Sequence, residues 1–399
     1  MASIVPSTKT IPVATSGTAL IYIDFLLTGI VMTFLGPMLP ILSARWSLTD
    51  ARSGSLIFAQ FFSSMFGMFC SGILVERRGY RFTFIAGLVL MACGMALLTS
   101  GPWLLGIASV CVFGFGHGIT TPAGNLRTAE TNPRGSASAL NLINAVWGLG
   151  AVSCPLLIEF AQRAHKISWF LYGTAAALLV LLIAFALIRF EPDKRTVPTA
   201  SRSKGKIWEG RVLPLICALF FIYVGTETSF GGWIASYARR LESGPHSLWA
   251  MMPSFYWGAL LAGRLLAPFA LRLSRETTVA RIGLILSLLG GSAIVAAHGM
   301  GLLIVGTVLA GLGLATIFPI SVSLLPGWFG ESANRASGAV FASGNTGGAV
   351  LPWVVGAVST QTGSLRFGFT VPLLGAAAML VFYLAGDGIV SRTQETIAS

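Results

Sequence analysis

Asp24 and Glu227 each sit inside a long apolar run, YIDFLLTGIVM and FFIYVGTETSFGGW. An ionised group at the centre of a membrane-spanning helix costs about 2.5–3.5 kcal/mol on insertion scales, so an acid retained there needs a reason. One reason is chemistry: a carboxyl group at that depth binds a proton, or a hydroxyl of a ligand, when access from one side or the other allows it. The other is static pairing to a neighbouring helix. For either acid the candidate partner is Arg264, whose own alternative is to snorkel toward the nearer membrane surface. Glu227 lies one helical turn from Tyr223, and Gly231 and Gly232 follow on the same run, where glycine permits local unwinding around a ligand.

Amides form a second group. Asn141, Asn144 and Gly148 recur at spacings of three and four, which puts them on one helix face. Asn345 stands on a later run and Gln60 on an earlier one. An amide donates and accepts together, which suits the hydroxyls of a polar neutral solute; the alternative is interhelical hydrogen bonding. Among ten tryptophans, Trp147 and Trp257 fall mid-run and Trp233 and Trp353 nearer one end. An aromatic face beside amides fits the apolar face of a sugar ring, a flat cation, or plain core packing. His117 is either a proton relay or a satisfied structural group. The candidate ligand-binding set is therefore Gln60, Asn141, Asn144, Trp147, Glu227, Trp233, Trp257 and Asn345, with Asp24 and Glu227 as the candidate proton-coupling pair.

The elements that must carry these residues follow from composition. Of 399 residues 54% are apolar and only 10% charged, and mean hydropathy is +0.79. A soluble domain carries roughly a quarter charged residues, whereas hydrocarbon about 30 Å thick selects apolar helices of roughly 20 residues. The sequence predicts twelve such spans: 17–42, 53–75, 83–99, 103–126, 136–160, 168–189, 212–237, 248–271, 282–298, 302–325, 336–358 and 367–386. The first, behind a polar leader without a small-residue cleavage site, reads as a retained helix. Between the sixth and seventh lies the longest polar stretch, FEPDKRTVPTASRSKGKIWEGR, so the chain divides into a six-helix half over 1–189, a linker over 190–211 and a second half over 212–399. Gly114, Gly116, Pro122 and Pro155 recur as Gly311, Gly313, Pro319 and Pro352, one constant offset of 197 residues, which points to an internal duplication.

The net charge of +12 has a topological explanation. With both termini cytoplasmic, the inner loops hold most of the basic residues, among them Arg77, Arg78, Arg81, Arg127, Lys194, Arg195, Lys204, Lys206, Arg272, Arg275 and Arg281. Nucleic-acid binding is not needed to account for them. Cys70, Cys93, Cys111, Cys154 and Cys217 all lie in apolar spans, which argues against a disulfide framework. His117, His165, His246 and His298 lack metal-ligand spacing, and neither a phosphate-binding GxxxxGK[ST] string nor a GxSxG elbow occurs. No enzyme, cofactor or metal site is expected.

One loop is more specific. GILVERRGYR, from Gly72 to Arg81, follows the second span, and its Gly72, Glu76, Arg77, Gly79 and Arg81 resemble the signature loop of the major facilitator superfamily. Glu76 stands for the usual Asp, and Tyr80 takes a usually basic position. The resemblance implies a cytoplasmic gate in which glycines allow close helix approach and the acid and arginines form charge-assisted bonds. An ordinary positive-inside loop is the alternative. YVGTETSFGGWIASY (223–237), LNLINAVWGLGAVSCPLL (140–157) and GLGLATIFPISVSL (311–324) are similar to the fucose, galactose and glucose proton-symporter branch. Where members of that branch carry a carboxylate in the fourth span, this chain has Thr120 and Thr121. The resemblance implies an all-α major facilitator fold in an inner, plasma membrane. It also implies alternating-access transport of a small polar, sugar-like solute by a monomer coupled to protons. A drug or metabolite/proton antiporter and an uncoupled uniporter stay open.

Overall fold

The computed structural model describes residues 16–132, 135–188, 212–242, 244, 247–323, 329 and 333–398, so the 190–211 linker lies outside the described residues. Regular structure among them is helical: α1 (Ser16–Thr33), α2 (Leu35–Trp46), α3 (Asp50–Leu97), α4 (Trp103–Thr131), α5 (Ser136–Arg163), α6 (Ile167–Leu187), α7 (Val212–Leu241), a single 3₁₀ turn (Trp249–Met251), α8 (Met252–Leu273), α9 (Glu276–Ala296), α10 (Met300–Leu314), α11 (Ile317–Ser323), α12 (Ala333–Thr362), α13 (Leu365–Gly368) and α14 (Thr370–Ala398). Ten of these elements or element pairs are long and apolar enough to cross a membrane. The expectation of twelve separate runs is altered at two places. Residues 50–97 form a single element of 48 residues, about 72 Å if straight and more than twice a bilayer's hydrocarbon. It is interrupted at Gly79, whose φ of 80° and ψ of 170° only glycine adopts readily. The span around 336–358 is fully helical as α12 but is not among the ten, because glycine, serine, threonine and asparagine dilute its hydropathy.

Other breaks have local causes. Pro37 lacks the N–H that would bond the carbonyl of Thr33, and α1 and α2 are separated at Phe34 while the flanking bonds Phe34 N to Ile30 O (3.1 Å) and Met38 N to Phe34 O (3.0 Å) persist. Pro319 likewise cannot bond Ala315, where α10 gives way to α11. α3 begins at a Thr49 cap whose side chain accepts from the Arg52 amide.

Packing repeats along the chain. A methyl group added at Gly116 of α4 would lie 2.6 Å from the carbonyl oxygen of Gly87, and one added at Gly313 of α10 would lie 2.4 Å from that of Gly283. Gly94 meets Ser109 and Phe113 as Gly290 meets Gly306 and Ala310. The same backbone-to-backbone approaches thus recur at nearly the offset seen in the sequence, and they replace a hydrophobic driving force that lipid does not supply. Outward, Leu104, Phe160, Trp169, Val180, Leu187, Phe269, Leu273, Leu374 and Val381 are exposed. So broad an apolar belt is unlike a soluble surface and fits a lipid-facing one.

Candidate functional site

Tyr223, Glu227 and Gly231 follow one another at four-residue intervals on one face of α7, opposite α8. The Tyr223 hydroxyl donates to Glu227 Oε2. Arg264 of α8 donates through Nη2 to the same Oε2 at 3.2 Å and to the Tyr223 oxygen at 3.2 Å. Its guanidinium also lies 5.9 Å from the centre of the Phe318 ring on α11. The Glu227 side chain is 11% exposed and that of Arg264 25%. Arg264 therefore turns inward to an ion pair, and the snorkelling alternative is overturned: a carboxylate within reach offers a better partner than the distant surface.

Around this pair several donors go unused. Arg264 Nε, the Trp257 indole N–H and the Tyr256 hydroxyl are buried without a hydrogen-bond partner. Tyr256 is within electrostatic reach of Glu227, Tyr223 and Arg264. Trp257 abuts Gly231, one turn beyond Glu227: a methyl group there would lie 2.6 Å from the indole ring and 3.3 Å from its nitrogen. Trp147 of α5 meets Trp257 edge-on, ring centres 6.0 Å apart. Tyr256 and the unused N–H groups carry no signal in a sequence; depth within an apolar run marked Trp257 and Arg264.

The amides are arranged less uniformly than their spacing implied. Asn141 and Asn144 are exposed, on the face of α5 that further along meets α8 through Gly148 against Leu261 and Val152 against Ser254. They lie where that contact has ended. Asn144 donates to its own helix at Leu140 O (2.8 Å), leaving its carbonyl oxygen free of that bond. Asn345 is half-buried and donates to Phe341 O (3.0 Å) and Met68 Sδ (3.3 Å). Gln60 is buried and ties α3 to α1 through Met32 O (2.8 Å). Trp233 is buried as well, and its indole donates to Pro352 O at 2.8 Å, fastening α7 to α12. These last two are structural contacts in this conformation.

Asp24 is fully buried, and neither carboxyl oxygen has a hydrogen-bond partner among the described residues. Static pairing to Arg264 does not occur, since Arg264 is engaged by Glu227. His117 lies between Ser64 Oγ, 3.2 Å from Nδ1, and Thr121 Oγ1, 3.2 Å from Nε2, which satisfies the ring as a structural group.

The two ends of the bundle differ. At the Gly79 end, Gly72, Glu76, Arg77 and Arg81 are exposed; Gly72 has nothing within 4 Å of an added methyl, and Glu76 makes no ion pair among the described residues. Arg81 bonds the carbonyl of Ala186, and Arg127 stacks 5.2 Å from the Tyr80 ring. The charge-assisted latch expected from Glu76 is thus not formed in this conformation. At the opposite end, α2 and α3 are clasped by α7 and α12. Arg240 donates to Asp50 Oδ1 at 2.5 Å, Ser359 donates to Asp50 Oδ2, Arg239 donates to Pro40 O at 2.8 Å, and the Ala51 amide donates to Thr360 Oγ1 at 2.8 Å. Methyl groups at Gly36 and Gly356 would lie 2.6 Å from Gly231 O and 2.4 Å from Asp50 O.

A helical bundle clasped at one end through Asp50 and holding an acid–arginine pair in its interior has known counterparts. A profile of the Major Facilitator Superfamily matches residues 21–254. The chain is 25% identical over 354 residues to a glucose/mannose transporter of Bacillus subtilis (strain 168), covering 84% of this chain and 86% of that one. It is 25% identical over 383 residues to a glucose/galactose transporter of Brucella abortus biovar 1 (strain 9-941), covering 91% and 92%. Its fold superposes on the crystal structure of a D-xylose-proton symporter with a TM-score of 0.76 at 13% identity, covering 92% of this chain and 96% of that one. These relatives are transporters, not enzymes, and with ten membrane-length helices among its described residues this multi-pass chain belongs to the Major Facilitator Superfamily.

Proposed function

We propose that this protein is a secondary active transporter that carries a small polar, sugar-like solute across the inner membrane by alternating access, coupled to protons through Glu227. The observation that carries the reading is the Tyr223–Glu227–Arg264 cluster, a titratable acid held between α7 and α8 in the interior of a membrane bundle. A proton arriving at Glu227 weakens its hold on Arg264 and frees donors for a ligand. Loss of the proton restores the pair and expels the ligand. Asp24, buried without a partner, is a second exchangeable acid. Asn141, Asn144 and Asn345, with Trp147 and Trp257, supply the amides and aromatic edges that a sugar-like solute needs. Twelve crossings are counted by taking α3 as two across Gly79 and adding α12. The halves 1–189 and 212–399 then rock about the site as a monomer, both termini cytoplasmic and the Gly72–Arg81 loop acting as the inner gate.

Purified protein in liposomes tests this. With glucose, galactose and their uronates as probes and an imposed pH gradient, the wild type accumulates at least one of them, whereas Glu227→Gln exchanges that solute but does not accumulate it. Accumulation that survives in Glu227→Gln and still follows the gradient removes Glu227 from the coupling. Uptake indifferent to collapse of the gradient identifies a uniporter.

A further inference from the structure

The unused groups around Glu227 are unbalanced in a way that specifies a ligand. Arg264 Nε and Trp257 Nε1 can only donate, and both are buried without an acceptor; the Tyr256 hydroxyl beside them has no partner either. Glu227 receives both Tyr223 and Arg264 Nη2 on one oxygen, Oε2, and none of the orphaned groups reaches either of its oxygens. Nature rarely leaves donors orphaned at such depth, and each such group calls for an explanation. A site with surplus N–H and a fixed guanidinium asks for acceptor oxygens carrying negative charge, and a carboxylate matches the guanidinium fork in geometry as well as in sign.

Charge gives the same answer independently. The empty site is neutral, Arg264 positive against Glu227 negative. If a neutral solute bound together with a proton on Glu227, Arg264 would be left as an uncompensated charge between α7, α8 and α11. The groups facing it there are Tyr223 and Tyr256, both phenols, the Phe318 ring, and no second acid among the described residues. Breaking a buried pair by neutralising one member is strongly unfavourable. A monoanionic solute removes the difficulty: guanidinium plus solute carboxylate plus protonated Glu227 is again neutral, and so both the empty and the loaded carrier can change conformation without burying net charge.

We infer that the site bounded by Arg264, Tyr256 and Trp257 takes a carboxylate-bearing sugar-sized solute, a uronate or aldonate, whose carboxylate replaces that of Glu227 on Arg264 as Glu227 takes up one proton. This rests on the proton-coupled reading of Glu227 and names its substrate class. The proton balance is one proton onto Glu227 for each monoanion bound and one released with it on the other side, so net transport moves no charge.

The test compares pairs that differ in the acidic group alone: glucose with glucuronate, galactose with galacturonate, and sorbitol with gluconate. Thermal shift and calorimetry on the purified full-length protein read affinity at pH 6 and pH 8. At least one acidic member binds about tenfold or more tighter than its neutral counterpart, the size expected of a charge-assisted bidentate contact, and binds more tightly at pH 6. Glu227→Gln, an isosteric stand-in for the protonated acid, binds that anion as tightly at pH 8 as at pH 6. Arg264→Gln loses the preference for the acidic member, and Arg264→Lys recovers part of it. In liposomes, proton-driven uptake of the anion is unchanged when valinomycin and potassium impose a membrane potential. The inference is overturned if the neutral member of every pair binds as well as or better than the acid, if Arg264→Gln leaves the preference intact, or if no acid binds. Glucose or galactose uptake driven by the pH gradient would then persist if the transporter reading is right, so the two failures are separable.

Discussion

Replacing Asp50 by Asn should shift the bundle toward opening at the α2–α3 end. Asp50 joins the helices before residue 189 to those after 211 by accepting from Arg240 at 2.5 Å and from Ser359. Its side chain is 11% exposed and that of Arg240 44%. A fully exposed ion pair contributes about 0–1 kcal/mol, while a hydrogen bond to a charged group shielded from water contributes about 1.5–3 kcal/mol. Asp50 lies between those limits, so the clasp is worth about 1–2 kcal/mol, or a five- to thirtyfold change in the closed-to-open ratio. Asp50 is also the acid in the first turn of α3, where its charge favours the helix by about 0.3–1 kcal/mol whether or not the bundle is closed. Arg240→Ala and the double variant separate the two effects: the coupling between Asp50 and Arg240 measures the clasp, and the remainder belongs to the helix. The readout is the distance between spin labels at the exposed positions 52 and 362, on α3 and α12. The single variants should populate a longer distance that the wild type lacks. An unaltered distance distribution in all three, with the fold intact, refutes the assignment of this cluster as the closure.

Asn144→Ala should weaken binding of whichever sugar or uronate shifts the wild-type melting temperature, by about three- to tenfold for one lost neutral hydrogen bond; unchanged affinity in calorimetry would return Asn144 to a purely helical role. Gly313→Ala should lower stability by about 1–3 kcal/mol through overpacking, because the new methyl meets backbone atoms of Gly283 and Ser287 at 2.4 Å. Gly116→Ala should cost a comparable amount in the equivalent place, and detergent unfolding curves compare the two.

The membrane-spanning elements were legible because their cause is local: hydrocarbon demands long apolar helices, and each run announces itself. The repeat was legible from Gly114 and Gly116 against Gly311 and Gly313, because close helix approach tolerates few other residues, and from two prolines at the same offset. Glu227 was legible for the opposite reason, being a residue that an apolar run excludes. Its pairing with Arg264 was only one of two alternatives, since α7 and α8 need not turn those faces together. The Asp50–Arg240–Ser359 clasp left no trace at all. Its members are separated by 190 and 309 positions, occur at span ends where charge is commonplace, and acquire meaning only when α3, α7 and α12 meet. α12 was legible by its place in the repeat more than by its hydropathy, which glycine and asparagine dilute.

The paired glycine approaches also say where this molecule can deform. Between α3 and α4, and again between α9 and α10, backbone rests on backbone, with Gly116 on Gly87 and Gly313 on Gly283. At those points glycine brings no side chain of its own to change rotamer, so the contact yields less in shear than one between flexible side chains. Toward the middle of the bundle the opposing sets of helices touch instead through Met65, Met68, Phe61 and the Trp147–Trp257 pair, where thioethers and ring edges slide with little change in contact energy. Compliance is concentrated at that seam, away from the glycine contacts.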